Sequence, residues 1–280
     1  MEFATIWNSF GTDVTIVEML PHIVPLEDEE ISQELAKSFQ KVGIKVLTSH
    51  RVQSINATPT GVMLKVVDQE REKTLEAEQT LLAVGFKPNS SGLGLEELGV
   101  QRNQWGFVDV DDRMPTSVPR IWAVGDVTGK LLLAHTASAM GKVCAENIAS
   151  VETITIDYRM VPKATYCRPQ VASFGFTEVQ AKEAGLEIKV GRFPFQSNGK
   201  ALGLGDHNGF VKIITAANTR EILGAHMIGP DVSELLPELT LAEVNELTRE
   251  EIARNIHAHP TLSEVIMEAA EAAEDRAIHI

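Results

Sequence analysis

The segment NIHAHPTLSE, residues 255–264, places two histidines beside a proline and a glutamate a few residues later. A glutamate about one helical turn from a histidine can accept its ring N–H, fix its tautomer and raise its basicity. His259 and Glu264 therefore predict a general acid/base pair. Thr261 and Glu264 also match a capping box, which satisfies free backbone N–H groups where a helix begins. The local pattern leaves both interpretations open.

Composition limits the classes of function. The 280 residues, 44% of them hydrophobic, can fill the cores of two domains. The 39 acidic against 25 basic side chains give a net charge of -14, which disfavours nucleic acid as a partner. Apolar stretches are short and broken by charges, so we expect no membrane span and a cytoplasmic location. Cys144 and Cys167 lack metal-ligand spacing, so we expect ordinary buried thiols and no metal site.

Helix and strand patterns alternate near the amino terminus. Residues 2–10 predict a helix that Gly11 ends. The β-branched run DVTIVEML, residues 13–20, predicts a buried parallel strand with Glu18 near its carboxyl end. Apolar residues at helical spacing then predict an amphipathic helix over residues 31–41.

The strand patterns that follow complete an α/β arrangement. Residues 43–55 predict one strand, and residues 61–68 with 73–86 predict a hairpin followed by a further strand. This order is typical of the later part of a Rossmann-type dinucleotide-binding domain, whose Gly-rich phosphate loop precedes its first helix. That helix begins almost at Met1, so we expect an incomplete NAD domain.

Glu18 indicates which nicotinamide cofactor this domain prefers. A carboxylate at a strand end can accept both hydroxyls of the adenosine ribose, whereas an enzyme for the 2′-phosphorylated cofactor would place Arg or Lys there. Glu18 therefore favours NAD over NADP. A strand-end acid that is merely solvated is the alternative.

The middle of the chain resembles a known family. TSVPRIWAVGDVTG, residues 116–129, followed by LLLAHTASAMGKVCAENI, resembles the second flavin-contacting segment of the pyridine nucleotide-disulfide oxidoreductases. The resemblance implies that Asp126 receives a ribityl hydroxyl of FAD. Gly125 allows close approach of the backbone, and the next helix can direct its positive N-terminus at the flavin.

The same resemblance implies further flavin contacts. The backbone amides at Leu133, Ala134 and His135 occupy the position that faces the flavin carbonyl in relatives. AVGFKPN, residues 83–89, resembles the loop where the nicotinamide domain returns to the flavin, and Gly85 there lets the cofactor lie close to the backbone.

The remainder of the chain is similar to the interface domain of that family. Among the members of the family, the dihydrolipoamide dehydrogenases show the strongest resemblance, and it covers essentially all 280 residues. The resemblance implies that His259 exchanges the proton of a dithiol sulfur and that Glu264 orients it. It implies that His257 supports the local structure. The implied reaction is oxidation of dihydrolipoyl groups to the cyclic disulfide with reduction of NAD.

One departure from the family pattern is plain. The redox-active CxxxxC pair and both Gly-rich loops are absent from this sequence, so we expect a fragment that is inactive alone. Two alternatives stay open: a non-enzymatic dimerisation or regulatory module of the same fold, and a glutathione-reductase-like enzyme. The NAD-type acid at Glu18 argues against the second.

The expected architecture has three parts and mixes α/β with α+β structure. These parts are an incomplete NAD domain over residues 1–88, a central FAD-contacting segment over 89–153 and an α+β dimerisation domain over 154–280. The cofactors implied are FAD and NAD. The partners implied are a second copy of the chain, through residues beyond about 154, and the lipoyl domains of 2-oxo acid dehydrogenase complexes.

Overall fold

The computed structural model describes residues 1–68 and 71–279. They divide into two compact units, one formed by residues 1–80 with 162–280 and the other by residues 81–161. Within these described ranges, no helix is both long and apolar enough to cross a membrane.

The first unit begins with a parallel βαβ arrangement. Helix α1, Glu2–Ser9, is followed by strand β1, Thr15–Val17, and helix α2, Glu29–Lys41, leads to strand β2, Lys45–Leu47. β1 and β2 pair in parallel. Ile31, Leu35 and Phe39, one helical turn apart on α2, are fully buried, which confirms the amphipathic helix.

A three-stranded antiparallel sheet follows, in the order β3-β4-β5. Its strands are β3, Arg51–Thr58, β4, Gly61–Asp68, and β5, Arg71–Ala77. The single strand predicted over residues 43–55 is therefore wrong, because the chain divides there into β2 and β3. Ser49 adopts a positive φ of 57°, and this turn separates the two strands into different sheets.

The same unit contains a larger antiparallel sheet, in the order β6-β7-β10-β9-β8. The strands are β6, Lys163–Thr165; β7, Gln170–Gly175; β8, Ile188–Pro194; β9, Phe210–Ala216; and β10, Ile222–Gly229. The helices around it are α4, Glu178–Glu183; α5, Gly199–Leu204; α6, Val232–Val244; α7, Arg249–Arg254; and α8, Glu264–Ala272. The mixed α/β and α+β class predicted from the sequence is confirmed.

Helix α8 approaches the larger sheet closely at one glycine. A Cβ atom added to Gly191 of β8 would lie 1.9 Å from the backbone oxygen of Ala269. Only glycine allows this approach, so the position of α8 is fixed relative to β8.

A polar row crosses one face of this sheet, because directly paired residues of neighbouring strands share a face. In strand order, the row consists of Lys163, Ser173, His226, Lys212 and Arg192. Ser173, His226 and Lys212 are buried.

The second unit, residues 81–161, is mostly irregular. It contains a 3₁₀ turn, Gly125–Thr128, and helix α3, Ala134–Ile148, whose buried residues Met140 and Val143 pack with Met114. The strand predicted to end at Phe86 is wrong: the described residues 78–86 form no strand, and Val84 and Phe86 are exposed. Apolar composition is not sufficient, because a strand also needs a partner for its backbone groups.

Candidate active site

The loop between α7 and α8 carries the two histidines singled out from the sequence. Helix α7 begins at a capping box formed by Thr248 and Glu251 and ends at Asn255. Helix α8 begins at Glu264. The loop therefore connects two helices of one unit, and the His259–Pro260 peptide within it is cis.

The structure brings His259 and Glu264 together. His259 Nδ1 lies 2.9 Å from Glu264 Oε1, and the Thr261 backbone N–H donates to Glu264 Oε2 at 2.8 Å. The His259 side chain is 77% exposed, whereas that of Glu264 is only 20% exposed. A carboxylate held in this way favours the tautomer in which Nδ1 carries hydrogen, which leaves Nε2 as the basic nitrogen.

The charge of Glu264 is stabilised by its partners. Burial raises the pKa of this carboxyl, but the hydrogen bonds from the Thr261 backbone and the His259 ring outweigh burial, so its pKa lies below the usual value. The site thus offers an exposed imidazole backed by a carboxylate that stays ionised at neutral pH. This arrangement can accept a proton and stabilise the resulting imidazolium.

The capping box predicted as the alternative is only half formed. Glu264 Oε2 accepts from the Thr261 backbone, as a capping box requires. The Thr261 hydroxyl instead donates to the Ala258 carbonyl at 2.7 Å and lies 3.0 Å from Ser263 Oγ. One carboxylate therefore serves the start of the helix and the His259 ring at once, so the two interpretations are compatible.

Glu18 lies where the sequence predicts, directly after β1. Its backbone N–H donates to the Leu47 carbonyl, and its own carbonyl accepts from His50, at 2.8 and 2.9 Å. Its Oε1 atom accepts from the Leu20 backbone at 2.8 Å. The carboxylate is thus held at the carboxyl end of a parallel strand, an acceptor position that fits ribose hydroxyls.

The predicted flavin contacts are placed in the second unit. Asp126 is exposed in the 3₁₀ turn, and Gly125 beside it has a φ of +76°. A Cβ at Gly125 would lie 3.2 Å from Ala137 Cβ, so the turn and the first part of α3 are packed closely. An exposed carboxylate beside a helix N-terminus is a donor and acceptor set that fits a ribityl chain and a flavin carbonyl.

The other residues predicted to contact the flavin lie at the start of a helix and in a loop. Leu133 is the N-cap residue of α3, and Ala134 and His135, both exposed, form its first turn. Gly85 is exposed with a φ of +117°. That backbone conformation is one in which glycine is favoured, as the prediction of a close cofactor approach requires.

The prediction of two buried thiols holds for Cys167, which is buried, whereas Cys144 is half-buried. Burial raises the pKa of Cys144, and it raises the pKa of Cys167 to about 12. Neither forms a disulfide in the described part of the chain. A thiol is nucleophilic as its thiolate, so neither environment activates the sulfur.

Two features near the site were not predicted. Glu238 of α6 contacts His257 although 19 residues separate them, and Lys212 contacts Asp28 across 184 residues. Such pairs depend on how distant elements pack, and no local spacing in the sequence indicates them.

Comparison with known proteins places this geometry in a family. The family model for pyridine nucleotide-disulphide oxidoreductases matches residues 1–141, and the model for the dimerisation domain of that family matches residues 161–270. The chain belongs to the pyridine nucleotide-disulphide oxidoreductase family.

Individual members of this family are similar over nearly the whole chain. The dihydrolipoyl dehydrogenase of Mycobacterium leprae is 51% identical over 269 residues, which cover 96% of this chain and 58% of the relative. The crystal structure of LpdA from Mycobacterium tuberculosis matches with a TM-score of 0.89 at 30% identity, covering 96% of this chain and 58% of that one.

A second solved structure widens the comparison. The HOCl-induced flavoprotein disulfide reductase RclA of Escherichia coli matches with a TM-score of 0.88 at 27% identity, covering 96% of this chain and 61% of that one. The chain thus spans about 58% of the length of the M. leprae relative.

Proposed function

We propose that this chain contributes the acid/base pair and part of the cofactor sites of a flavin-dependent dihydrolipoamide dehydrogenase, which oxidises dihydrolipoyl groups to the lipoyl disulfide and reduces NAD. The contact of 2.9 Å between His259 and Glu264 carries the proposal. The 51% identity to a dihydrolipoyl dehydrogenase supports this choice of reaction within the family.

The proposed proton transfer uses His259 and Glu264 alone. His259 Nε2 accepts the proton of a substrate thiol, which leaves a thiolate and an imidazolium. Glu264, whose lowered pKa keeps it ionised, stabilises that imidazolium through Nδ1. The exposure of the His259 ring leaves it accessible to a substrate.

The cofactor assignments follow the placement of the polar groups. Glu18 would hold the ribose hydroxyls of NAD, and Asp126 would accept a ribityl hydroxyl of FAD. The backbone at Leu133, Ala134 and His135 would face the flavin carbonyl, and Gly85 would allow close approach. When bound, FAD supplies the electron-accepting chemistry, and NAD supplies the terminal hydride acceptor.

The proposed partners are a second copy of this chain and lipoyl domains of 2-oxo acid dehydrogenase complexes. The match of residues 161–270 to a dimerisation domain supports a homodimer through that part. We also propose a cytoplasmic location, because a reducing compartment maintains thiols such as those of Cys144 and Cys167.

A chimeric enzyme tests the reaction. The part of the M. leprae relative that this chain does not cover is joined to the chain, and NAD reduction with dihydrolipoamide is measured at steady state. We expect turnover, and His259→Gln should lower it by about 10²- to 10⁴-fold, as expected for a lost general acid/base.

The control variant for this test is His22→Gln, which changes a histidine whose Nε2 lies 3.7 Å from Glu29 and which has no part in the proposed proton transfer. It should turn over at the native rate. A flavin-loaded, dimeric His259→Gln chimera with undiminished turnover would exclude His259 from the reaction.

A further inference from the structure

A second carboxylate–imidazole pair lies in the same loop. His257 Nε2 is 3.0 and 3.1 Å from the two carboxylate oxygens of Glu238, and its Nδ1 is 2.9 Å from the Asn255 carbonyl oxygen. The Asn255 side chain also donates to Glu238 Oε1 at 3.0 Å. The His257 side chain is only 4% exposed, so helix α6 holds the loop through a buried contact.

The partners of His257 determine which hydrogens its ring can carry. A carboxylate and a carbonyl both accept hydrogen bonds and donate none. Hydrogen on His257 Nε2 can donate to the carboxylate oxygens of Glu238 at 3.0 and 3.1 Å, so the carboxylate orients the ring.

The two histidines therefore have opposite environments. His257 is enclosed and bonded on both ring nitrogens, whereas His259 is exposed and meets Glu264 through Nδ1. The first arrangement holds a ring in place, and the second leaves a nitrogen accessible for chemistry.

The loop joins the two pairs through short contacts. Ala258, between the histidines, accepts a hydrogen bond from the Thr261 hydroxyl at 2.7 Å. The Thr261 backbone N–H in turn donates to Glu264 at 2.8 Å. The loop is thus fastened to α6 at His257 and to α8 at Thr261, and His259 lies between these two points.

We infer that Glu238 and His257 are positioning residues for the proton transfer by His259, an inference that rests on the proposed function. Their contact fixes the backbone before His259, so the ring stays aligned with Glu264 and keeps hydrogen on Nδ1. Among the described residues, the carboxylates in hydrogen-bond contact with the two histidines are Glu238 from α6 and Glu264 from α8. In this proposal Glu238 and His257 act through His259 and not on the substrate sulfur.

Nuclear magnetic resonance on the 280-residue chain tests the pair directly. Long-range proton–nitrogen correlations from carbon-bound ring protons report which ring nitrogens carry hydrogen. We expect His257 Nε2 to carry hydrogen directed at Glu238, and at pH 8 we expect His259 to be mainly the Nδ1–H tautomer. A His257 ring whose Nε2 carries no hydrogen in the folded chain overturns the inference without any variant.

Variants of Glu238 separate positioning from packing. Glu238→Gln removes the charge with little change of shape, and we expect His259 to become a mixture of tautomers. Glu238→Asp retains the charge and should retain most of the native tautomer. The matched control is Glu234→Gln, which changes an exposed carboxylate one turn earlier on α6 and should leave both histidines unchanged.

Kinetics of the chimeric enzyme complete the test. Glu238→Gln should lower kcat about tenfold with little change in KM, because a misaligned base weakens the chemical step more than substrate binding. Native kcat and native His259 tautomer in a folded Glu238→Gln chain would overturn the inference and leave the proposed function intact. Full turnover in His259→Gln would instead refute the proposed function, while the hydrogen on His257 Nε2 could still be measured.

Discussion

Two groups of charged residues in the same unit differ in what they contact. The His259–Glu264 pair presents an imidazole that is 77% exposed, backed by a single carboxylate. The second group, which we call the lysine cluster, places Lys212, only 1% exposed, 2.8 Å from Asp28, 3.0 Å from Glu30 and 2.8 Å from Glu178.

The charged groups of the lysine cluster are paired with one another. Lys212 has three carboxylate neighbours, which suits the three hydrogens of its ammonium group, and Arg192 adds hydrogen bonds to Glu30 and Glu178. The His259–Glu264 pair, by contrast, leaves most of the imidazole ring exposed. The buried and fully paired Lys212 fixes the start of α2 on the sheet. The exposed ring of His259, which is paired through one nitrogen, can react.

The largest expected effect is on stability and comes from Lys212→Met. Removing one partner of a buried ion group leaves uncompensated charges, which costs about 3–5 kcal/mol of unfolding free energy. Urea unfolding of the chain measures the change. A loss below about 1 kcal/mol would mean that the lysine cluster contributes little to the fold.

Two controls sharpen this contrast. Lys182→Met breaks a contact with Glu178 in which the lysine is 62% exposed, and should cost at most about 1 kcal/mol. His259→Gln should change the unfolding free energy by about 0.5 kcal/mol or less, because surface substitutions have small effects. Equal losses in Lys212→Met and Lys182→Met would remove the distinction between the buried and exposed contacts.

Acid should weaken the lysine cluster at a lower pH than it weakens surface contacts whose carboxyls have ordinary pKa values. Burial raises the pKa of Glu178, but hydrogen bonds from Lys182 and Lys212 with the charge of Arg192 lower it to about 2, from an ordinary 4.5. A carboxyl whose folded pKa is depressed stabilises the fold above its unfolded pKa, and this contribution is lost as pH falls through the folded pKa. Stability should therefore decline between about pH 4.5 and about pH 2.

The acid effect has its own comparison on α4. Glu178→Gln should flatten the pH dependence of the unfolding free energy in that window, while Glu183→Gln, an exposed acid on the same helix, should leave it as in the native chain. Parallel curves for the native chain and Glu178→Gln would contradict the assignment of the effect to this carboxyl.

The smallest expected effect is on turnover by the His259–Glu264 pair and comes from Glu264→Gln in the chimeric enzyme. Glutamine keeps an acceptor for the His259 ring but removes the charge that stabilises its protonated form, so turnover should fall less than in His259→Gln. The apparent pKa of the pH–rate profile should move down for the same reason. An unchanged profile in a folded dimer would leave Glu264 with only its role at the start of α8.

The sequence predicted those features that depend on neighbouring residues. The spacing of His259 and Glu264 fits a contact across the start of a helix, and the apolar pattern of Ile31, Leu35 and Phe39 determines the face that α2 buries. The catalytic and cofactor roles of the predicted residues remain predictions.

Features that depend on distant residues were missed. Nothing near Lys212 in the sequence indicates Asp28, and nothing near His257 indicates Glu238, because packing of separate elements brings them together. The strand predicted to end at Phe86 was wrong for a related reason, since pairing depends on a partner strand and not on composition alone.

The polar row across the larger sheet also bears on how the chain avoids misfolding. Side chains alternate between faces along a strand, so a slip of β9 by one residue would exchange Lys212 with Ile213. The ammonium group would then move to the face of Gly191, where α8 lies within contact distance. Burying an unpaired charge against a helix is strongly unfavourable. The row therefore disfavours the out-of-register pairing of β9, because that pairing would bury an unpaired ammonium group.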